Sequence, residues 1–195
     1  YIYMDLSQDE NRLKTIKAKK MMLLFSMLSI SMTFAGLTSA YIVSKSRPDW
    51  LKEFELPIAF TISTIVILLS SISIWIAKKN VKKNNVSNTS LWLFITFGLG
   101  IIFIVSQFSG FKELISQGYF FTGAQSTITT SFLYVLTVLH LIHLFAGIIV
   151  LIVVITNNYK GKYETKKLGF ELAVTFWHFL GFLWLYLFIF LYFFR

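Results

Sequence analysis

Cysteine is absent from the 195 residues, and only two are proline. The missing thiols exclude disulfides, thiolate metal sites and a cysteine nucleophile. Charge is scarce too, at 14% of residues, where a soluble domain carries about a quarter. Apolar residues make up 56%, and mean hydropathy is +0.69. Together these values argue against a soluble globular protein. Acidic residues number nine, and eight of them fall in tails or loops; only Glu171 touches an apolar stretch, at its end. A transporter or proton channel working alone would normally carry a carboxylate at depth.

What is present is long apolar runs. Five stand out, at about 21–43, 57–77, 91–108, 131–156 and 170–194. Each is near the roughly 20 residues a helix needs to cross a bilayer. Unpaired backbone groups are too costly in lipid for any other reading of such continuous runs. The fold expected is therefore all-α: a five-span membrane bundle over 21–195, preceded by a cytoplasmic segment at 1–20. The longest connection expected is 111–130. None leaves room for a second domain.

The basic residues sort by side. The N-terminal segment and the second and fourth connections hold thirteen of the 18, including Lys19, Lys20, Lys78, Lys79, Lys166 and Lys167. The other side has Lys45, Arg47, Lys52, Lys112 and Arg195. The positive-inside rule then predicts the N-terminus inside and the C-terminus outside. The net charge of +9 is mainly a topology signal, with some attraction to anionic lipid. Nucleic acid is not an expected partner, because no basic residue lies in a folded soluble module.

All three histidines fall within spans. His140, His143 and Gly147 share one face of the fourth helix. Glu171, Thr175 and His178 form a stripe on the fifth, with Trp177, Gly181 and Trp184 on an adjacent face. The two stripes lie on antiparallel helices that can bring them together, and their polar groups are expected to find partners within the bundle or on a neighbouring subunit. One reading makes the histidines ligands of a haem or metal. The other makes them hydrogen-bonding groups between helices. Three histidines are one short of two bis-histidine haems, and no deep carboxylate supports a metal, so the second reading is preferred. Small residues mark expected close packing: Gly36 and Ala40 in the first span, Gly98 and Gly100 in the third, Gly147 and Gly181 in the last two. The second span carries Thr61, Ser63, Thr64, Ser70, Ser71 and Ser73, and is expected to face protein in part.

The order of these motifs resembles subunit III of the haem–copper oxidases, in the five-span bacterial form. The last helix carries Glu171, then Thr175-Phe176-Trp177-His178-Phe179, then Trp184-Leu185. The fourth carries Tyr134, Thr137, His140, His143 and Gly147. The first carries Ala35-Gly36-Leu37 and Ser39-Ala40-Tyr41, followed by Pro48 and Trp50. The resemblance covers nearly the whole chain. It implies a subunit with no catalytic residue, cofactor or metal of its own, with haem and copper in partner subunits I and II. It implies packing on subunit I, phospholipid binding, support of proton uptake and a place in the bacterial inner membrane, and it leaves room for a larger respiratory supercomplex. Three positions depart from the family pattern: Ile30, Gly110 and Gly181 stand where many members have a carboxylate. The competing reading is a haem-binding membrane anchor of a quinone oxidoreductase.

Overall fold

The computed structural model describes the backbone of residues 2–48, 50–51, 56–123, 126–163 and 167–194, with side chains from Glu10 onward. Lys52, Lys166 and Arg195 of the charge tally lie outside the described residues. Five helices make up the fold: α1 (Ile2–Ser44), α2 (Ile58–Lys82), α3 (Val86–Ser116), α4 (Ile128–Tyr159) and α5 (Leu168–Phe194). No strand occurs among the described residues. All five are long and apolar enough to cross a membrane. The chain is a multi-pass membrane protein.

The helices outrun the apolar windows, because a helix does not stop where the hydrocarbon does. The third shows this most: it extends to Ser116, where the composition suggested an end near residue 108. The connection expected over 111–130 is correspondingly shorter. α1 continues without a break from the N-terminal segment into its span.

The helix ends follow local chemistry. Pro57 precedes α2, where its missing N–H costs nothing. Asn84 takes a left-handed φ of 54° in the tight α2–α3 turn, and Asn85 caps α3 by accepting from the Asn88 N–H. Thr127 and Thr130 form a reciprocal capping box at the start of α4.

α2, α3, α4 and α5 close into a ring in which each packs on two neighbours, α2 most extensively on α3. α1 lies outside this ring against α4 and α5. Its grip is concentrated at one end. Tyr41 is fully buried and meets Trp50, Phe132 and Phe190 edge-on, at ring separations of 4.7, 5.9 and 5.3 Å. Thr38 and Tyr186 share a hydrogen bond of 2.9 Å. The Leu51 N–H donates to Thr129 Oγ1 at 3.1 Å, which ties the segment after α1 to the start of α4.

Candidate functional site

The centre of the four-helix ring is filled by the tryptophans of α5. At positions seven apart, Trp177 and Trp184 point the same way, two turns from each other. Both are fully buried. An indole N–H in an apolar interior needs an acceptor, and α2 supplies one for each. Trp177 Nε1 donates to Ser70 Oγ at 2.7 Å, and Trp184 Nε1 to Thr64 Oγ1 at 3.0 Å. Gln107 of α3 adds a third cross-helix bond, donating from Nε2 to Ser63 Oγ at 2.7 Å. Ser73 and Thr96 bond each other between α2 and α3. Asn158 of α4 donates to Ser90 Oγ at 2.8 Å. The hydroxyl-rich α2, whose composition led us to expect only that it faces protein in part, supplies the acceptors for Trp177, Trp184 and Gln107.

Glycine lets the helices approach around this centre. A Cβ on Gly100 would stand 2.8 Å from Ile148 and 3.0 Å from Trp177. One on Gly147 would meet Leu180 at 2.6 Å, and one on Gly181 would meet Ser71 at 3.1 Å. The other expected packing residues do not serve in this way. Gly36 and Ala40 are exposed on α1, and a Cβ on Gly36 or Gly98 would meet nothing within 4 Å. For Gly36 and Ala40 the reason is the position of α1, which turns that face away from the ring. Gly110, which the sequence marked only as a departure from the family pattern, is a close-packed position as well: its Cβ would fall 2.6 Å from the Phe60 ring. A glycine in an apolar helix was the available signal.

The histidines part company. His140 is fully buried against Phe103 and Trp184, with ring separations of 5.9 and 5.2 Å. Neither of its nitrogens has a hydrogen-bond partner among the described residues. His143 bonds the Leu139 carbonyl of its own helix through Nδ1 at 2.8 Å and meets Phe34 of α1 edge-on at 5.9 Å. His178 is half-buried on α5, within electrostatic reach of Lys78 of α2. Glu171 and Thr175 are exposed, and the Thr175 hydroxyl bonds back to the Glu171 carbonyl at 2.9 Å. No hydrogen bond or ring contact described joins the two polar stripes. α5 presents its tryptophan face to α4 instead, because burying two indoles outweighs burying a carboxylate that water solvates.

The positions that depart from the family pattern are occupied by packing. Ile30 rests against the core, Gly110 lies under Phe60, and Gly181 lies under Ser71. Among the described residues no group of three His, Cys, Asp or Glu stands close enough to hold a metal ion. The cluster is an interlock of helices in which the indole N–H groups and the Gln107 amide N–H find acceptors, while Gln107 Oε1 and both nitrogens of His140 have none among the described residues.

Comparison with known proteins extends these observations. The family model described as cytochrome c oxidase subunit III matches residues 15–195. Cytochrome c oxidase subunit 3 of Thermostichus vulcanus is 31% identical over 176 residues, covering 87% of this chain and 84% of the relative. The Corynebacterium diphtheriae protein of the same name is 28% identical, covering 83% and 81%. Subunit 3 of a cytochrome bo(3) ubiquinol oxidase from Buchnera aphidicola is 36% identical over 135 residues, covering 67% and 66%.

Proposed function

Because the chain belongs to the cytochrome c oxidase subunit III family, we propose that it serves its haem–copper oxidase as the subunit without a redox centre. It is subunit III of that complex and associates with other oxidase subunits. In this reading it packs on subunit I, binds phospholipid and sustains proton uptake, while subunits I and II hold haem and copper. The membrane is the bacterial inner membrane, with the N-terminus inside and the C-terminus outside, as the basic residues favour.

The observation that carries the reading is the placement of the imidazoles. His140 faces Phe103 and Trp184, and His143 faces Phe34. A haem held by two of them needs both rings opposed across a gap, whereas here aromatic side chains pack against His140 and His143. The haem-anchor alternative gains no support from this arrangement. Large apolar side chains exposed along α1, among them Met22, Phe25 and Met32, need lipid or protein cover.

The test is made on the purified oxidase carrying His140→Leu. Haem content and the optical spectrum should match wild type, while retention of this subunit in detergent changes. Loss of a haem band would overturn the proposal and restore the anchor reading. A reporter fused after Arg195 checks the topology: activity on the inner side would reverse the orientation.

A further inference from the structure

The unpartnered atoms in the middle of the ring belong to two side chains on neighbouring helices: Gln107 Oε1 on α3, and Nδ1 and Nε2 of His140 on α4. Both residues are fully buried. The register of the seam between their helices brings them close. Phe103 meets His140 at a ring separation of 5.9 Å, and Phe111 meets Tyr134 at 5.3 Å, so α3 and α4 run antiparallel here. Gln107 lies midway between its two phenylalanines, about one turn from each. The residue at the matching level of α4 is Thr137, itself fully buried. His140 follows it by three residues. Gln107 and His140 are therefore separated by about 5 Å along the seam.

Each of these groups lacks something definite. Gln107 spends its Nε2 on Ser63 Oγ, and its carbonyl oxygen is left in need of a donor. His140 stands against Phe103 and Trp184, with no carboxylate described beside it. An imidazole in such a wall is neutral, with one N–H and one bare nitrogen. That N–H needs an acceptor. Thr137 donates its hydroxyl proton to the Leu133 carbonyl of its own helix at 2.7 Å and keeps lone pairs on Oγ1. The seam thus offers one free donor and two free acceptors. An anion would meet two oxygen atoms that only accept, and a metal ion would meet an N–H. What fits is a small neutral molecule that accepts once and donates twice across about 5 Å. Water does this, with two hydrogen bonds of about 2.8 Å each.

We propose that the seam between α3 and α4 is a binding site for one internal water molecule. The water accepts from the His140 N–H, donates to Gln107 Oε1 and gives its second proton to Thr137 Oγ1. It fixes which imidazole nitrogen carries the proton. It also joins His140 to the Gln107–Ser63 bond, so that α4, α3 and α2 share one polar chain across the middle of the ring. The other hydrogen bonds described between α3 and α4 both come from Asn158, near the far end of α4. The site depends on the helix ring alone and not on the proposed role in the oxidase.

The test uses the whole purified oxidase, imaged by electron cryomicroscopy at a resolution that shows ordered water. A peak is expected within about 3.2 Å of both Gln107 Oε1 and one His140 nitrogen. Gln107 and His140 bonded directly to each other, or packed with no peak between them, would overturn the proposal. So would a peak with the coordination of a metal ion. The second measurement is the rate at which this subunit is lost in detergent. Gln107→Met and His140→Phe should each speed the loss by about tenfold. The double variant should lose the subunit at roughly twenty times the wild-type rate, because the second change removes a group that the first had already stranded. A hundredfold acceleration, the product of the two, would mean that the residues share no partner and would overturn the site. Ser106→Ala, on the exposed side of α3, should leave the rate unchanged. If the variants fail to assemble, the wild-type map still decides. The haem spectrum of the same preparations reports on the oxidase reading separately.

Discussion

α1 and the α2–α5 ring are made from similar material and are held in different ways. In the best membrane-spanning window of α1, 11% of residues are buried within the chain, against 33–50% for the other four helices. Yet the α1 window is apolar enough to span, with a mean hydropathy of 1.7. Lipid is as apolar as leucine, so hydrophobicity inserts a helix in the membrane without binding it to its neighbours. What binds is shape and hydrogen bonding. The ring has both, through two buried indoles with acceptors and through glycines under large side chains. α1 has them only near Phe34–Tyr41.

Substitutions can break that contrast. The largest effect is expected from Trp184→Ala, which removes a fully buried side chain, its contacts with Phe60, Phe103 and His140, and its bond to Thr64. A loss of about 3 kcal/mol should lower the denaturation midpoint of the subunit clearly; an unchanged midpoint would mean that the ring is not the stable part.

Gly110→Ala should come next, at about 1–3 kcal/mol, because Phe60 is itself wedged between Trp184 and Phe111 and its stiff ring has little room to move. Thermal retention of the subunit in the detergent-solubilised complex reads this out. Ser70→Ala leaves the Trp177 N–H without its acceptor. Interhelical bonds in membranes average about 0.6 kcal/mol and reach about 1.7. A shift near the upper value is expected, and Ser70→Thr should recover it.

The smallest effect is expected at Gly36→Ala, whose new methyl meets nothing in this chain. The isolated subunit should be unchanged within about 0.5 kcal/mol. Comparing the same variant in the assembled oxidase sharpens the point: destabilisation seen only there would place a neighbouring helix on this face of α1.

Several of these features were open to the sequence. The five runs announced five helices, and the serines and threonines of the second run announced that it faces protein. Tyr41 and Trp50 stood in a motif before their rings were found together. Other features were not open to it. Residues Gly36 and Ala40 have the spacing of a packing seam, but spacing on one helix cannot say whether a second helix lies opposite. Glu171, Thr175 and His178 share a stripe, and so do Trp177, Gly181 and Trp184; periodicity treats the two alike.

Chain order, residue type and the length of apolar runs determined that this is a five-helix membrane protein of the oxidase subunit III family. They are local properties, legible because each helix satisfies its own backbone bonds wherever it lies. The rotation of α5, the sealing of His140 between Phe103 and Trp184, and the divergence of α1 from α5 were decided only in three dimensions. Each depends on which of several near-equivalent faces packs best against a neighbour, and that choice is made by side-chain volume and donor–acceptor geometry between residues far apart in the chain.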